Sequence, residues 1–254
     1  MGIVSRMFEH PLMRGLSVDD PRTTLLRREI IQDKAFLYSL YSEWYEQIIK
    51  VLLKKKDVLE LGSGAGFLKE LLPEVITSEV FEMPEVELIA DACDLPLPDN
   101  SLDAIVMTDV FHHIPDVRCF FLEATRCVRP GGQVVMIEPW CTRWSEWVYI
   151  HLHPEPFFPE SDWEIPSAGP LSGANGALPW IVFQRDRALF EAQYPQWRIK
   201  NIKLMMPISY LFSGGVSMRT LMPGWMYRPI RALEQILNQK YCAMFALIEL
   251  ELVS

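Results

Sequence analysis

An α/β fold built on a doubly wound, mostly parallel sheet is the architecture this sequence predicts. Three observations lead there. Short apolar runs alternate with amphipathic stretches from about residue 54 onward, and a glycine cluster closes the first of those runs. A composition of 50% apolar and 22% charged residues in 254 supports one large core. Strands separated by helices of these lengths pair in parallel through right-handed crossovers.

Residues 22–53 carry Leu25, Ile30, Phe36, Leu37, Leu40, Tyr41, Trp44 and Ile48 at helical spacing, which predicts one or two amphipathic helices in a helical N-terminal segment, 1–53. Lysines 54–56 then precede a predicted strand, Val58 to Leu61, that ends at Gly62, Gly64 and Gly66. A short helix is expected over residues 67–72, strands over 75–81 and 86–90, and a solid apolar strand over 102–108. Pro115 and Asp116 open a helix to about Val128, Pro130-Gly131-Gly132 reads as a turn, and residues 134–137 as a strand. The tryptophan- and proline-rich stretch at about 139–179 reads as an insertion. A helix over 181–192 and strands over 197–205 and 243–252 follow, and the second insertion, at about 206–241, has a helical stretch from Pro229 to Asn238. Residues 54–254 are thus expected to form one domain with two insertions.

Net charge is -9, which provides no electrostatic footprint for a phosphate backbone, so nucleic acid is not an expected partner. Five cysteines without a C-x-x-C pair argue against a disulfide framework or a zinc ribbon, and a reducing cytoplasm is the expected location. The first fifteen residues show neither an apolar signal core nor a myristoylation pattern. No membrane span is expected, because the most apolar run, Leu204 to Phe212, is broken by Pro207 and Ser209.

The richest line is Asp57-Val-Leu-Glu-Leu-Gly-Ser-Gly-Ala-Gly-Phe67, a buried strand with an acid at Glu60 followed by three alternating glycines. Glycine lets a backbone turn sharply and approach a ligand, so Gly64 is expected to face one. A dinucleotide fingerprint needs its third glycine where Phe67 stands. Glu79 ends the second strand, where a carboxylate can accept hydrogen bonds from ribose hydroxyls. Asp91 and Ala92 follow the third strand, and Thr108-Asp-Val-Phe-His-His113 the fourth. Together these describe a nucleoside pocket without a phosphate-binding residue.

With VLELGSGAG, Glu79, ADACDLPLPDNSLDAIVM and VRPGGQVVMIEP in place, the chain resembles the class I S-adenosylmethionine-dependent methyltransferases, in particular the small-molecule branch of the ubiquinone and menaquinone enzymes, over Asp57 to Pro139. The resemblance implies a Rossmann-like sheet of seven strands with a reversed last strand, and S-adenosyl-L-methionine as cofactor. It places Glu60, Gly62, Ser63, Gly64 and Gly66 at the methionine end, Glu79 at the ribose, Asp91 and Ala92 at the adenine, and Asp109 and Val110 on the sulfonium side. The acid is Glu where Asp is commoner, and the segment after it, VFEMPEVELIA, is compressed.

Methyl transfer is an in-line displacement in which placement of the acceptor dominates and a base is optional. His113, His151 and Glu138 are the catalytic candidates, with His153 a further histidine able to take a proton from a hydroxyl. No metal-ligand cluster is expected. Tryptophans and methionines of the insertions suggest a large apolar cavity and a small apolar or lipid-like acceptor. Residues 204–227 read either as a membrane-apposed lid or as a dimer interface, so monomer and homodimer both stay open. Gly169-Pro-Leu-Ser-Gly-Ala-Asn-Gly176 reads as a close-approach loop, and Arg185 and Arg187 as candidate anion contacts. The rival readings are a nicotinamide-dependent oxidoreductase and a non-catalytic cofactor-binding protein.

Overall fold

The computed structural model describes residues 10–13, 19–153, 155–165, 169 and 173–253; part of the N-terminal segment and Pro170 to Ser172 of the predicted close-approach loop lie outside them. Seven strands form one sheet: β1 (Val58–Leu61), β2 (Ile76–Glu79), β3 (Leu88–Ile89), β4 (Leu102–Thr108), β5 (Val128–Pro139), β6 (Trp197–Met205) and β7 (Phe245–Leu252). Their order is β3-β2-β1-β4-β5-β7-β6. The β1–β2, β1–β4, β2–β3 and β4–β5 pairs are parallel, whereas β7 runs antiparallel to both β5 and β6. This is the predicted Rossmann-like sheet with its last strand reversed. The chain leaves β1 in one direction along the sheet and β4 in the other, which opens a crevice beyond their carboxyl ends.

Strand β1 is buried along its whole length, as a central parallel strand covered on both faces must be. The Pro130-Gly131-Gly132 turn proves to be an irregularity inside β5: pairing jumps from Leu102↔Val128 to Ala104↔Gln133, and Gly131 takes φ 79°. β3 is shorter than predicted, with only two residues, and follows the compressed segment after Glu79.

Two helices precede the sheet, α1 (Pro21–Asp33) and α2 (Ala35–Val51), divided at Lys34. Asp20 caps α1 by accepting the Arg22 N–H at 2.9 Å. The apolar face of α2 buries Phe36, Leu37, Leu40, Tyr41, Trp44, Tyr45 and Ile48. Trp44 packs 4.8 Å from the ring of Phe245 in β7. A single turn, α3 (Leu68–Leu71), follows the glycine loop. In α4 (Val117–Cys127), capped by Asp116, residues Val117, Phe120, Phe121, Ala124 and Cys127 recur at helical spacing and face the core. The capping box of Thr142 and Ser145 starts α5 (Arg143–Leu152). The predicted helix over 181–192 begins earlier, as α6 (Leu178–Trp180), passes through a π turn (Ile181–Arg185) and resumes as α7 (Arg187–Gln193).

Between β6 and β7 lie α8 (Ser209–Ser213), α9 (Tyr227–Glu234) and α10 (Gln239–Cys242); α9 is shifted toward the N-terminus relative to the predicted stretch. Polar bonds fasten this segment to the N-terminal helices. Glu43 accepts from Tyr227 Oη at 2.6 Å and Arg231 Nη2 at 2.6 Å, and Arg231 also pairs with Glu234. The Glu234 carboxylate, fully buried, accepts from Ile208 N, Ser209 N and Ser209 Oγ, each at 2.6 Å. Lys34 donates to the carbonyls of Ser213, Gly215 and Met218.

Two expectations need correction. Cys93 and Cys119 are bonded to each other, their Cα atoms 4.9 Å apart, because the loop after β3 lies against α4; a 26-residue separation carries no such signal in sequence. Arg185 pairs with Asp186 and Arg187 with Glu191, so neither presents a free cation to an acceptor. Among the described residues no helix is long and apolar enough to cross a membrane.

Removing the Glu234 carboxylate leaves two backbone amides and the Ser209 hydroxyl without their acceptor in a dry site and takes away one of the two carboxylates that pair with Arg231. Glu234→Ala is expected to cost about 3 to 5 kcal/mol, measured as a lowered denaturant midpoint.

Candidate active site

A cavity of about 480 Å³ lies beyond the carboxyl ends of β1, β2 and β4, within the size range of small-molecule sites. Three other segments close it: Thr24, Arg27, Tyr41 and Tyr45 from the N-terminal helices; His153, Glu155 and Ile165 after α5; and Tyr210, Val216 and Ser217 after β6.

The glycine loop is built for contact between loops as much as for contact with a ligand. Gly62 takes φ 70°, and a Cβ on it would stand 2.5 Å from Val110 Cγ2. Only glycine meets both demands. Gly64, expected to face the ligand, does not line the cavity; a Cβ there would meet Thr24 Cγ2 at 2.7 Å and Met83 Sδ at 2.9 Å. Its smallness lets α1 sit down on the loop. Ser63 is likewise behind the surface, donating to Glu60 O at 3.1 Å and accepting from Ser78 N at 3.1 Å, which ties β1 to β2. Phe67, at the place of a dinucleotide fingerprint's third glycine, is buried and stacks on Tyr38 at 4.6 Å.

Glu60, Gly62, Gly66, Glu79, Asp91, Ala92, Asp109 and Val110 do share the cavity wall. Burial pushes the carboxyls of Glu60 and Glu79 up to about 7, since ionising them in a dry wall is unfavourable. Asp91 spends one oxygen on its own loop, accepting the Cys93 N–H at 2.8 Å. Asp109 sits at φ 63°, in the left-handed region, and burial pushes its carboxyl up to about 7. Among the described residues, five carboxylates (Glu60, Glu79, Asp91, Asp109 and Glu155) face the cavity against one arginine, Arg27. That balance suits a cationic ligand and disfavours a phosphate.

The catalytic candidates separate. Glu138 is fully buried behind the cavity, a correction to its expected position at the acceptor. Its Oε1 accepts the N–H groups of Val110 and Phe111, both at 2.8 Å, and its Oε2 contacts His112 Nδ1 at 2.7 Å. Burial opposes a charge on His112, yet the two carboxylates that flank it, Glu138 and Glu155, prevail and hold its pKa well above the usual imidazole value. His113 lines the cavity, its Nδ1 3.0 Å from the Gly173 carbonyl, and burial, with the charge on His112, lowers it to about 4. His151 is exposed, bonded to Trp147 O at 2.8 Å and outside the cavity lining. His153 is inside it, beside Glu155.

Sequence reasoning missed Arg27, Tyr41, Tyr45, Glu155 and Tyr210 as wall residues. Only Glu155 carried a local signal, the run His151-Leu-His-Pro-Glu155. Among the described residues no tryptophan lines the cavity, a correction to the expected tryptophan-walled space. Trp44, Trp140, Trp163 and Trp197 are core residues.

Comparison with known proteins bears on the fold and on the domain type. A family profile described as "Methyltransferase domain" matches residues 59–136, from β1 through most of β5. Demethylmenaquinone methyltransferase of Bacillus licheniformis is 34% identical over 76 residues, 30% of this chain and 32% of that protein. Over residues 59–136 the chain thus matches a methyltransferase domain of the class I, S-adenosylmethionine-dependent type. An uncharacterized methyltransferase of Mycobacterium bovis is 32% identical over 102 residues, 35% of this chain and 41% of the relative. The chain thus spans about a third to two fifths of the length of these curated relatives. The structure of geranyl diphosphate C-methyltransferase from Streptomyces coelicolor A3(2) superposes with a TM-score of 0.52 at 12% identity, covering 85% of this chain and 78% of that one, a likeness of fold. In this family the methyl donor is S-adenosylmethionine.

Gly62→Ala is expected to lose at least about 1 to 2 kcal/mol in denaturant unfolding, from the left-handed backbone alone and more from Val110. Glu60 and Glu79 prefer to be neutral in the fold. Their contribution to stability is complete below the ordinary carboxyl value of 4.5 and is lost as pH rises through about 7. The thermal midpoint of the unliganded protein should therefore fall across that window, and the Glu60→Gln, Glu79→Gln double variant should flatten the slope.

Proposed function

We propose that this chain transfers a methyl group from S-adenosylmethionine to a small acceptor that is largely apolar and carries one protic group. The observation that carries this reading is the set of five carboxylates on one cavity at the carboxyl edge of the sheet, with Arg27 the one arginine among the described lining residues. When bound, S-adenosylmethionine supplies an electrophilic methyl group on a sulfonium sulfur. Its residues of contact are Glu79 for the ribose hydroxyls, Asp91 and Ala92 for the adenine, and Glu60, Gly62, Gly66, Asp109 and Val110 for the methionine and sulfonium side. Ser63 and Gly64 act one step back, holding the loop against β2 and α1.

The acceptor side is the wall made by Tyr41, Ile165, Tyr210 and Val216, with His113, His153 and Glu155 as its polar groups. Aromatic and aliphatic surfaces orient an apolar body, and the polar trio addresses one hydroxyl or amine. His113 stays neutral at physiological pH, so it accepts a hydrogen bond from the acceptor and aligns it. In a displacement of this kind, placement and exclusion of water supply most of the rate. Residues 139–179 and 206–241 serve as insertions that close the site over the shared sheet and set which acceptor fits.

Calorimetric titration with S-adenosylhomocysteine tests the reading. One molecule should bind per chain, NADH should not bind, and Glu79→Ala should weaken affinity by about 1.5 to 3 kcal/mol, the scale of hydrogen bonds to a charged group. Unchanged affinity in that variant removes the ribose role.

A further inference from the structure

We propose that His112, His113 and Glu155 form a site for a divalent first-row transition ion, with one nitrogen from each imidazole and one carboxylate oxygen as ligands. A ligand atom of each residue lies within 4.8 Å of the other two. His112 Nε2 stands 3.5 Å from Glu155 Oε2. Two atoms bonded at about 2.1 Å to a tetrahedral ion are about 3.4 Å apart, so this pair is already at coordinating separation.

The surroundings prepare both imidazoles. Glu138 has one oxygen occupied by the N–H groups of Val110 and Phe111, and its other oxygen faces His112 Nδ1 at 2.7 Å. A carboxylate only accepts, so Nδ1 is the donor there and Nε2 is the nitrogen left to bind an ion. That Nε2 is fully buried and, apart from the Glu155 carboxylate 3.5 Å away, has no polar partner among the described residues. A carboxylate behind an imidazole fixes ring orientation and raises ligand basicity, as it does behind metal-bound histidines. His113 is set in the same way: its Nδ1 donates to the Gly173 carbonyl at 3.0 Å, which leaves the second ring nitrogen as the acceptor. Glu155 completes the set from the segment after α5, and its backbone N–H is held on His153 Nδ1 at 3.3 Å.

Two imidazoles and one carboxylate select zinc, cobalt, iron or manganese over calcium and magnesium, which prefer oxygen alone. His113 and Glu155 line the cavity whereas His112 lies behind them, so the remaining coordination position opens toward the space assigned to the acceptor. An ion there would hold the acceptor's protic group through its oxygen or nitrogen. This last role rests on the proposed methyl transfer; the ion site itself does not.

The test is a cobalt(II) titration of chelator-stripped full-length protein, followed by visible absorption and equilibrium dialysis, with zinc(II) as competitor. One cobalt per chain should bind, with d–d bands of a low-coordinate site that zinc abolishes. His113→Ala and Glu155→Gln should each weaken uptake at least about 10-fold, and Glu138→Gln roughly 10- to 100-fold through loss of the imidazole's support. His151→Ala, on the exposed histidine, should leave uptake unchanged. His113 and Glu155 border the cavity, so their variants carry the decision, and circular dichroism confirms that each is folded. Absence of stoichiometric cobalt, uptake that survives both variants, or uptake lost in His151→Ala overturns the site. S-adenosylhomocysteine titration of the same samples reads the nucleoside site separately, so either proposal can fail alone.

Discussion

The carboxylate of Glu138 is the constraint on which the site depends. It stands at the end of β5, fully buried, and takes the Val110 and Phe111 N–H groups on one oxygen while the other meets His112. Those bonds hold the turn after β4 in the form where Asp109 adopts a left-handed backbone and Val110 presses against Gly62. The glycine of the first loop and the acid of the fifth strand are therefore parts of one device. An uncompensated carboxylate at this depth would be strongly unfavourable; three donors make it a fixed point of the fold.

Electrostatics in the cavity follow from burial. Glu60, Glu79 and Asp109 all resist ionisation chiefly because the wall is dry; nearby acids add to this at Glu60 and Asp109, while Arg27 opposes it at Glu79. The same groups that weaken the empty protein at higher pH would be favoured by a positively charged ligand in the cavity. On the other side of the cavity, His112 and Glu155 satisfy one another's charge, and His113 stays neutral beside them. One chamber thus holds two different environments, an acidic one along the strand ends and a histidine-rich one under the later segments.

Much of the first environment is legible in the sequence, because each residue there follows directly on a short strand whose direction is set by the sheet. Glu60, Gly62, Glu79, Asp91 and Asp109 reach the cavity from positions that strand periodicity alone supplies. Gly64 and Ser63 show where that reasoning stops: a glycine-rich motif announces close approach without saying to what, and here the neighbours are Thr24 and Ser78. The histidine environment is hardly legible. His113 and Glu155 are separated by the whole of α4, β5 and α5, and Tyr41 and Tyr210 come from segments at opposite ends of the chain.

The sequence by itself determined the strand and helix succession from Val58 to Pro139, the reversed final strand through its family resemblance, and the acids along the strand ends. Those features rest on local periodicity and on a sheet topology that restricts where strand ends can meet. Only the tertiary structure decided that Glu138 is a clamp behind the cavity, that Trp44, Trp140, Trp163 and Trp197 pack in the core while tyrosines wall the pocket, and that Cys93 meets Cys119. Each of these depends on how segments far apart in the chain pack against one another, and packing of that kind leaves no periodic trace in any one of them.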